Sequence, residues 1–405
     1  MERLAIHGGT PVRKTPINYG HQWIGKEDID AVVQVLRSDY LTCGPEIAAL
    51  EEELCKVTGA RYATAVSNGT AALHAACYAA GIGKEDEVIT TPLTFAASSN
   101  CILYMGGRPV FADVNPDTYN ISPKSVEQHI SKRTKAIIAV DFTGQAAELD
   151  EFRSLCEEYH LLLIEDGAHS IGTTYRNQPI GSIADLTTFS FHPVKTVTGG
   201  EGGAILTDDK ELYKMLTLFR SHGITRDNAW MDFETEWKEE RQDLGDWYYQ
   251  QIALGYNCRM TDIQAALITS QLHKLAQFKL RRQDIVEQYN KAFADFPGII
   301  LQKEIPESNT ARHLYLIQLE LERLTVGRKE IFDALKAENV CCNVHYIPVY
   351  YFPYYQKLGY KRGLCPNAEK LYERIITIPL YPAMTNGDVN SVIAAVKKVV
   401  KFYLK

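Results

Sequence analysis

Short apolar runs alternate with longer amphipathic segments through the first half of the chain. The amphipathic segments, such as SPKSVEQHI and ELDEFRSLCEEYH, have helical spacing. Alternation of strands with helices is typical of a largely parallel, doubly wound α/β sheet with helices on both faces. LLLIED is apolar without alternation, as expected of a strand buried on both faces. The predicted strands are YATAVS, EVITT, PVFADV, KAIIAV, LLLIED, LTTFSF and GGAILT.

The pattern changes near Asp262, where a long amphipathic stretch, TDIQAALITSQLHKLAQFKLRRQDIVEQYNKAF, predicts one helix. Strands (HLYLIQLEL, VCCNVHY) and helices (VGRKEIFDALKAE, NGDVNSVIAAVKKVVKFY) follow and indicate a smaller C-terminal α+β domain. We therefore predict a large domain over residues 1–271 and a small domain over residues 272–405. The polar, aromatic segment Asp227–Gln250 is predicted to leave the sheet as a flexible flap or a partner-facing loop.

Composition excludes several functional classes. The chain has 405 residues, 45% hydrophobic and 23% charged, with a net charge of −7, so the basic surface that nucleic-acid binding requires is not expected. No apolar run reaches transmembrane length, and the N-terminus lacks the apolar core of a signal peptide. The nine cysteines include no C-x-x-C pair. We expect a cytoplasmic protein with reduced thiols, no membrane contact and no metal site.

Residues with chemical potential follow several predicted strands. Asn68-Gly69-Thr70 comes after the first strand, and residues 92–95 come after the second. Asp166 and His169 follow the most apolar strand, and residues 192–195, ending in a lysine, follow LTTFSF. In doubly wound sheets, ligands bind beyond the carboxyl ends of the strands. These four pieces are therefore expected at one rim of the sheet.

Their side chains are those that a pyridoxal 5′-phosphate (PLP) site requires. PLP needs an amine to bond its aldehyde carbon and a carboxylate to keep its ring nitrogen protonated. It also needs donors for its phosphate, such as the N–H groups at a helix start, and an apolar face against the ring. The candidates are Lys195 (amine), Asp166 (carboxylate), Gly69, Thr70 and Ser190 (phosphate), Phe95 (ring face) and His169 (orienting Asp166 or reaching the ring hydroxyl). Four glycines after the lysine would let the backbone pack closely around it.

Each candidate also has an ordinary explanation. A lone lysine is usually a solvated charge, and an aspartate at a strand end often caps a helix. Thr70 can be a plain first-turn residue, Ser190 can be satisfied within the sheet, and His169 can be a structural histidine. The SFHPVK…GEGG context of Lys195, and the position of Asp166 at the end of the most apolar strand, favour the catalytic interpretation.

These motifs resemble the DegT/DnrJ/EryC1/StrS family of nucleotide-sugar aminotransferases. The resemblance extends over nearly the whole chain, through SNGTAAL, TPLTFAAS, EDGAHSIG, SFHPVKTVTGGEGG, GYNCRMTDIQAAL, HLYLIQL and NVHYIPVY. It implies the fold type I architecture of PLP-dependent transferases, with Lys195 and Asp166 as the catalytic pair. It also implies that Asn257 reaches the cofactor phosphate of a second subunit, and hence a homodimer with shared active sites. His345 and Tyr346 would lie near the nucleotide sugar.

Within the family the chain is most similar to the transaminases of pseudaminic-acid biosynthesis. The resemblance implies transfer of an amino group from an amino acid, expected to be L-glutamate, which leaves 2-oxoglutarate. The acceptor would be carbon 4 of a UDP-4-keto-6-deoxy-N-acetylhexosamine, and the product a UDP-amino-sugar for a surface glycan.

Alternatives remain open at this point. Another keto-sugar, dTDP- or GDP-linked and 3- or 4-keto, can be the acceptor. A sugar dehydratase would carry histidine in place of Lys195, and a non-catalytic regulator would have lost cofactor residues. Arg220, Arg259 and Arg312 are equal candidates for the carboxylate of the amino donor.

Overall fold

A computed structural model describes residues 2–231 and 245–405 of the chain. The strands are β1 Tyr62–Val66, β2 Glu87–Thr90, β3 Arg108–Phe111, β4 Thr134–Val140, β5 Leu162–Asp166, β6 Thr174–Tyr175, β7 Gln178–Pro179, β8 Leu186–Ser190, β9 Gly203–Thr207, β10 Ile224–Thr225, β11 Gln250–Gln251, β12 Ile299–Leu301, β13 Ser308–Asn309, β14 Tyr315–Leu319 and β15 Ile375–Ile378. The α-helices are α1 Lys26–Leu36, α2 Pro45–Thr58, α3 Gly69–Ala79, α4 Ala97–Tyr104, α5 Pro123–Glu127, α6 Leu149–Tyr159, α7 Lys210–Arg220, α8 Asp262–Leu272, α9 Leu275–Phe293, α10 Arg328–Ala337, α11 Pro353–Lys357, α12 Pro366–Arg374 and α13 Asn386–Phe402.

A seven-stranded sheet with the order β1-β9-β8-β5-β4-β2-β3 forms the centre of the first half. The β5–β8, β4–β5, β2–β4 and β2–β3 pairs are parallel, and β9 runs antiparallel to both β1 and β8. All seven strands coincide with predicted apolar runs. The predicted α/β class and mainly parallel sheet are confirmed, and the parallel strands direct their carboxyl ends to one rim.

The long helix predicted after Asp262 is two helices. The first ends at Leu272 and the second begins at Leu275. Lys274 leaves helical geometry at φ −101°, ψ 1°, and its ammonium pairs with the fully buried carboxylate of Asp28. A buried carboxylate requires such a partner, so a long-range ion pair accompanies the break.

The prediction of a strand at VCCNVHY is wrong. In that segment Asn343 forms a single two-bond bridge with Thr377, through main-chain bonds of 3.0 and 2.8 Å. The three-stranded sheet of this half has the order β12-β14-β15, so its third strand is β15. The VCCNVHY segment reaches that sheet at one point and then turns away, which brings His345 towards the large sheet.

Separate hydrophobic clusters support the two halves. One cluster is built from the large sheet and the helices that pack on it. Another is built from α9, α10, α13 and the small sheet. Leu4 and Ile17, from the start of the chain, pack into the second cluster. The break between α8 and α9 lies beside the predicted boundary at Leu272, and the division into residues 1–271 and 272–405 stays a prediction.

The segment Asp227–Gln250 is described only at its ends, because residues 232–244 lie outside the described residues. At its C-terminal end β11 pairs with β10 in antiparallel register. The flap or partner-loop prediction therefore stays a prediction. Within the described chain, no helix is both long and apolar enough to cross a membrane. All nine cysteines are free.

Candidate active site

A cavity of about 800 Å³ opens at the carboxyl ends of the large sheet. One predicted site residue, Asn257, lies outside the cavity of its own chain. It forms an isolated main-chain bridge with Ser221. The tertiary structure thus gathers pieces that are far apart in sequence. The predicted residues that line the cavity are Gly69, Thr70, Phe95, Asp166, His169, Ser190, Lys195, His345 and Tyr346.

Asp166 is held firmly at the end of β5. Its Oδ2 accepts a hydrogen bond of 2.6 Å from the Ser98 hydroxyl, and its Oδ1 accepts one of 3.1 Å from the N–H of Ala168. Burial raises the pKa of the Asp166 carboxyl, while these two bonds and the charge of Lys195 lower it. The carboxylate is therefore oriented, and the cationic neighbour favours its ionised form.

Ser98 is a site residue that sequence reasoning missed. Its hydroxyl also lies 2.8 Å from that of Thr94, so a short hydroxyl chain leads to Asp166. Both residues belong to the TPLTFAAS motif, at the start of α4, but nothing in their spacing indicates that they face a carboxylate on another strand. Only the packing of α4 against β5 brings these groups together.

Lys195 lies in the turn that follows β8, and its N–H donates to His192 O at 2.9 Å. Its half-buried side chain lines the cavity. Burial lowers the pKa of the Lys195 amine to about 8, and the charge of Asp166 acts in the opposite direction. An amine with this pKa is neutral far more often at physiological pH than an ordinary lysine, which a nucleophile or base requires.

The glycines after the lysine have a packing reason. A Cβ on Gly199 would lie 2.6 Å from Ile268 Cγ1, and one on Gly202 would lie 2.9 Å from Ile268 Cδ1. A Cβ on Gly203 would lie 2.4 Å from the main-chain oxygen of Asn68. The backbone after the lysine can therefore pack against α8 and the start of α3 only without side chains at these positions.

The start of α3 forms a cradle beside Ser190. Asn68 caps the helix, with its side-chain oxygen accepting a 2.8 Å bond from Ala71 N–H. A Cβ on Gly69 would lie 2.8 Å from Ser190 Cβ and 3.0 Å from its Oγ. The N–H groups of a helix start, next to the Ser190 hydroxyl, form a site suited to a phosphate.

His169 is buried and lines the same cavity as Asp166, and its Nε2 lies 3.1 Å from the Tyr346 hydroxyl. Its Nδ1 is enclosed and has no hydrogen-bond partner among the described residues. Burial, together with Lys195 and His345, lowers the pKa of His169 well below its usual value. Burial likewise raises the pKa of the Tyr346 phenol and lowers that of His345 to about 3. This wall of the cavity is consequently polar but uncharged.

Phe95 is 64% exposed although it is aromatic, and its ring centre lies 6.4 Å from that of Tyr346. It therefore offers an open apolar face to the cavity, as a ring-stacking residue would.

None of the three candidate arginines for the donor carboxylate lines the described part of this cavity. Arg220 pairs with Glu51 and donates to Ala65 O at 3.0 Å. Arg312 Nη1 donates to Thr143 Oγ1 at 2.9 Å, and the guanidinium also pairs with Glu304. Both side chains are thus committed to structural partners.

The residues present fit PLP. The cradle at Gly69 matches a phosphate, the unpaired Nδ1 of His169 matches a polar ring substituent, and the perturbed amine of Lys195 shares the cavity with Asp166. Phe95 supplies the apolar face.

Comparison of the sequence with known proteins gives a family match. A family model for the DegT/DnrJ/EryC1/StrS aminotransferase family matches residues 22–397. The spore coat polysaccharide biosynthesis protein SpsC of Bacillus subtilis is 41% identical over 385 residues, which are 95% of this chain and 97% of SpsC. An uncharacterised protein of Methanocaldococcus jannaschii is 41% identical over 378 residues, 93% of this chain and 96% of that protein.

Solved structures show the same fold. Helicobacter pylori PseC, an aminotransferase involved in the biosynthesis of pseudoaminic acid, superposes with a TM-score of 0.87 and is 31% identical, with coverage of 96% of this chain and 100% of PseC. A candidate sugar aminotransferase of Streptococcus pneumoniae, Spr1654, superposes in its PMP form with a TM-score of 0.87 at 32% identity, with coverage of 95% and 99%. A PLP form of Spr1654 also matches.

Proposed function

The chain belongs to the DegT/DnrJ/EryC1/StrS aminotransferase family, and we propose that it moves an amino group from L-glutamate to carbon 4 of a UDP-4-keto-6-deoxy-N-acetylhexosamine. It is a sugar aminotransferase that uses PLP. The product would be a UDP-amino-sugar for a surface glycan such as one containing pseudaminic acid. The observation that carries the proposal is the gathering in one cavity of the chemical groups that PLP requires, among them Lys195 with a lowered pKa and the buried Asp166.

When bound, PLP supplies an electrophilic carbon and an electron-accepting ring. Lys195 would hold it covalently and, once freed by the incoming amine, act as the proton carrier. Because the pKa of Lys195 is lowered to about 8, roughly half of the amine is neutral at pH 8. In the glutamate half-reaction that amine would move a proton from the α-carbon of the donor to the former aldehyde carbon of PLP, and in the sugar half-reaction it would move a proton from that carbon to carbon 4 of the acceptor.

Asp166 would hold a protonated ring nitrogen. Its position is fixed by Ser98 and Ala168, so little reorganisation is needed when the partner arrives. A charge-assisted bond in so buried a position is stronger than one in water. Gly69, Thr70 and Ser190 would bind the phosphate, and His169 would contact the ring hydroxyl.

His345 and Tyr346 would contact the nucleotide sugar. They reach the cavity from the second half of the chain, on the loop that precedes the 3₁₀ helix Val349–Tyr351. His345 is fixed by a 2.8 Å bond between its Nδ1 and Thr377 Oγ1. The similarity to PseC, whose pathway makes pseudoaminic acid, supports the choice of acceptor.

A homodimer with shared sites is part of the proposal. Asn257 lies outside its own cavity, and the adjacent Tyr256 is exposed together with Tyr104 and Leu254. Tyr104 and Tyr256 both pack on His74, with ring centres 5.1 Å away, so they form one aromatic patch. Exposed aromatic patches of this kind support a protein interface.

The free cysteines fit the proposed cytoplasmic location.

The test is an assay of the purified protein with PLP, L-glutamate and a UDP-4-keto-6-deoxy-N-acetylhexosamine, with mass spectrometry of the product. We expect 2-oxoglutarate and the UDP-amino-sugar, and neither with Lys195→Ala. Parallel reactions with dTDP- and GDP-linked 3- and 4-keto-sugars test the alternative acceptors. Product from one of those alone would overturn the choice of acceptor, and no transamination with any sugar would favour a non-catalytic regulator.

A further inference from the structure

His313 is a third buried histidine of the cavity, and the proposed function does not use it. It lies just before β14 and lines the cavity with 4% of its surface exposed. Its ring centre is 4.6 Å from that of His169, the shortest ring contact of either residue. His313 therefore extends the uncharged polar wall that His169, Tyr346 and His345 form.

The main chain fixes the position of His313. Its N–H donates to Thr143 O at 2.8 Å, and its carbonyl accepts a 3.1 Å bond from Arg282 Nη1. Arg282 is 1% exposed and also donates to the carbonyls of Arg312 and Leu380. A buried guanidinium thus joins two segments of the wall. The position of His313 is therefore fixed by main-chain bonds and does not depend on a hydrogen bond of its imidazole ring.

Packing by itself does not explain a histidine at this position. His313 Nδ1 is enclosed and lacks a hydrogen-bond partner in the part of the chain that the structure describes. Such an unpaired buried nitrogen costs about 1–3 kcal/mol. Phenylalanine would occupy similar space without that cost. The other nitrogen is not enclosed in this way, and the ring borders the cavity.

The surroundings keep His313 uncharged. Its charged neighbours are the cations Lys195 and Arg282, and its titratable ring neighbours are His169 and His345. Burial, followed by these neighbours, lowers the pKa of His313 well below its usual value. A neutral imidazole has one donor and one acceptor, which suit a hydroxyl, keto or amide oxygen. Carboxylates and phosphates are better matched by cations.

We propose that His313 is a specificity-determining residue that forms a hydrogen bond with an uncharged oxygen of the acceptor sugar. The inference deepens the proposed function and rests on it. The amino donor carries carboxylates, and the PLP groups already have matched residues, so the sugar is the ligand whose chemistry is left. His313 adjoins His169 on the cofactor side, and His345, on the sugar side, is among the groups that lower its pKa.

The first test separates the two half-reactions in holoenzyme. Visible absorbance follows amination of the cofactor by glutamate and its return to the aldehyde form by the keto-sugar. His313→Phe is expected to slow the sugar half-reaction about tenfold or more and to leave the glutamate half-reaction within about twofold, since one hydrogen bond to the sugar is lost. His313→Gln, which keeps a neutral donor and acceptor, should recover part of the rate. The exposed His129→Phe is the matched control.

The second test uses protein without cofactor. Calorimetric titration should give weaker binding of the UDP-sugar to His313→Phe than to wild type, and equal binding of UDP. The melting temperature of His313→Phe should equal or exceed that of wild type, because an unpaired nitrogen is removed. If His313→Phe slows the glutamate and sugar half-reactions equally, or if its affinity for UDP falls as much as its affinity for the UDP-sugar, His313 is structural. If His313→Phe does not fold, His313→Ala, which has neither donor nor acceptor, takes its place, and an unchanged sugar half-reaction in that variant overturns the proposal.

Failure of the proposed function has a different signature. Wild-type enzyme itself would then show no return to the aldehyde form with the UDP-4-keto-6-deoxy-N-acetylhexosamine. In contrast, the His313 proposal fails when the wild-type enzyme completes both halves and the His313→Phe enzyme either completes both equally well or is slowed equally in both.

Discussion

The hydroxyl of Ser98, at the start of α4, donates a 2.6 Å hydrogen bond to Oδ2 of Asp166 at the end of β5. This bond lowers the pKa of the Asp166 carboxyl against the opposing effect of burial. Asp166 is the proposed partner of the cofactor ring nitrogen, so Ser98 would act on the ring through Asp166. The relationship leads to the first prediction.

Ser98→Ala should move the acid limb of the pH profile of kcat/KM to higher pH. Without the hydrogen bond the pKa of Asp166 rises further above its usual value, so the carboxylate is lost sooner as the pH falls. Affinity for PLP should fall about fivefold, as for loss of about 1 kcal/mol. Ser99→Ala is the control, because the Ser99 hydroxyl bonds Tyr355 and not Asp166. An acid limb identical in Ser98→Ala and wild type would contradict the prediction.

Capture of PLP by Lys195 should depend on pH with a midpoint near 8. Attack on an aldehyde requires the neutral amine, and burial lowers the pKa of Lys195 to about 8. The rate of capture by cofactor-free protein should rise through that pH and then level off, whereas N-acetyl-lysine should still gain rate up to about pH 10.4. Stopped-flow absorbance measures both. A protein profile that followed the model amine would show that the cavity does not perturb Lys195.

Gly69→Ala should weaken cofactor binding. The added methyl group would lie 2.8 Å from Ser190 Cβ, so the end of β8 and the start of α3 must move apart and the cradle must widen. We expect a loss of about tenfold or more in PLP affinity, in line with an overpacking cost of about 1–3 kcal/mol. Gly83→Ala is the matched control, since its Cβ would meet only Asp86 Oδ2 at 3.9 Å. Fluorescence titration with PLP compares the two, and equal affinities would contradict the cradle.

Mixed dimers test whether Asn257 serves the neighbouring subunit. Lys195→Ala and Asn257→Ala are each expected to be nearly inactive as homodimers. In a hybrid of the two, one site combines the intact Lys195 of one chain with the intact Asn257 of the other. Refolding an equal mixture should restore about a quarter of wild-type activity, because half of the dimers are hybrids with one intact site each. If Asn257 acted in its own subunit, mixing would restore nothing.

Much of the fold was predictable because the signals are local. The apolar runs marked all seven strands of the large sheet, and parallel topology implied that residues after β1, β2, β5 and β8 would share a rim. The second half was less readable. VCCNVHY has strand-like composition but forms isolated bridges, and β15 (Ile375–Ile378) was not recognised, since the choice between two apolar segments depends on which one reaches β14.

The site was predictable as a set of chemical groups. Lys195, Asp166, Gly69 and Ser190 stand after strands in a recognisable order, so their meeting follows from the sheet. Ser98 and His313 were missed because their roles come from neighbours that are 68 and 144 positions away in the chain, Asp166 and His169, with which they make one hydrogen bond and one ring contact.

The sequence by itself determined the class of fold, the family and most of the residues that meet in the cavity, because each depends on residue types and their order along the chain. Only the tertiary structure decided the electrostatic state of those groups, such as the lowered pKa of Lys195 and the neutral histidine wall. It also decided that Arg220 and Arg312 are held by structural partners outside the cavity. The physical reason is that burial and charge pairing depend on distances in three dimensions, which the order of residues does not specify.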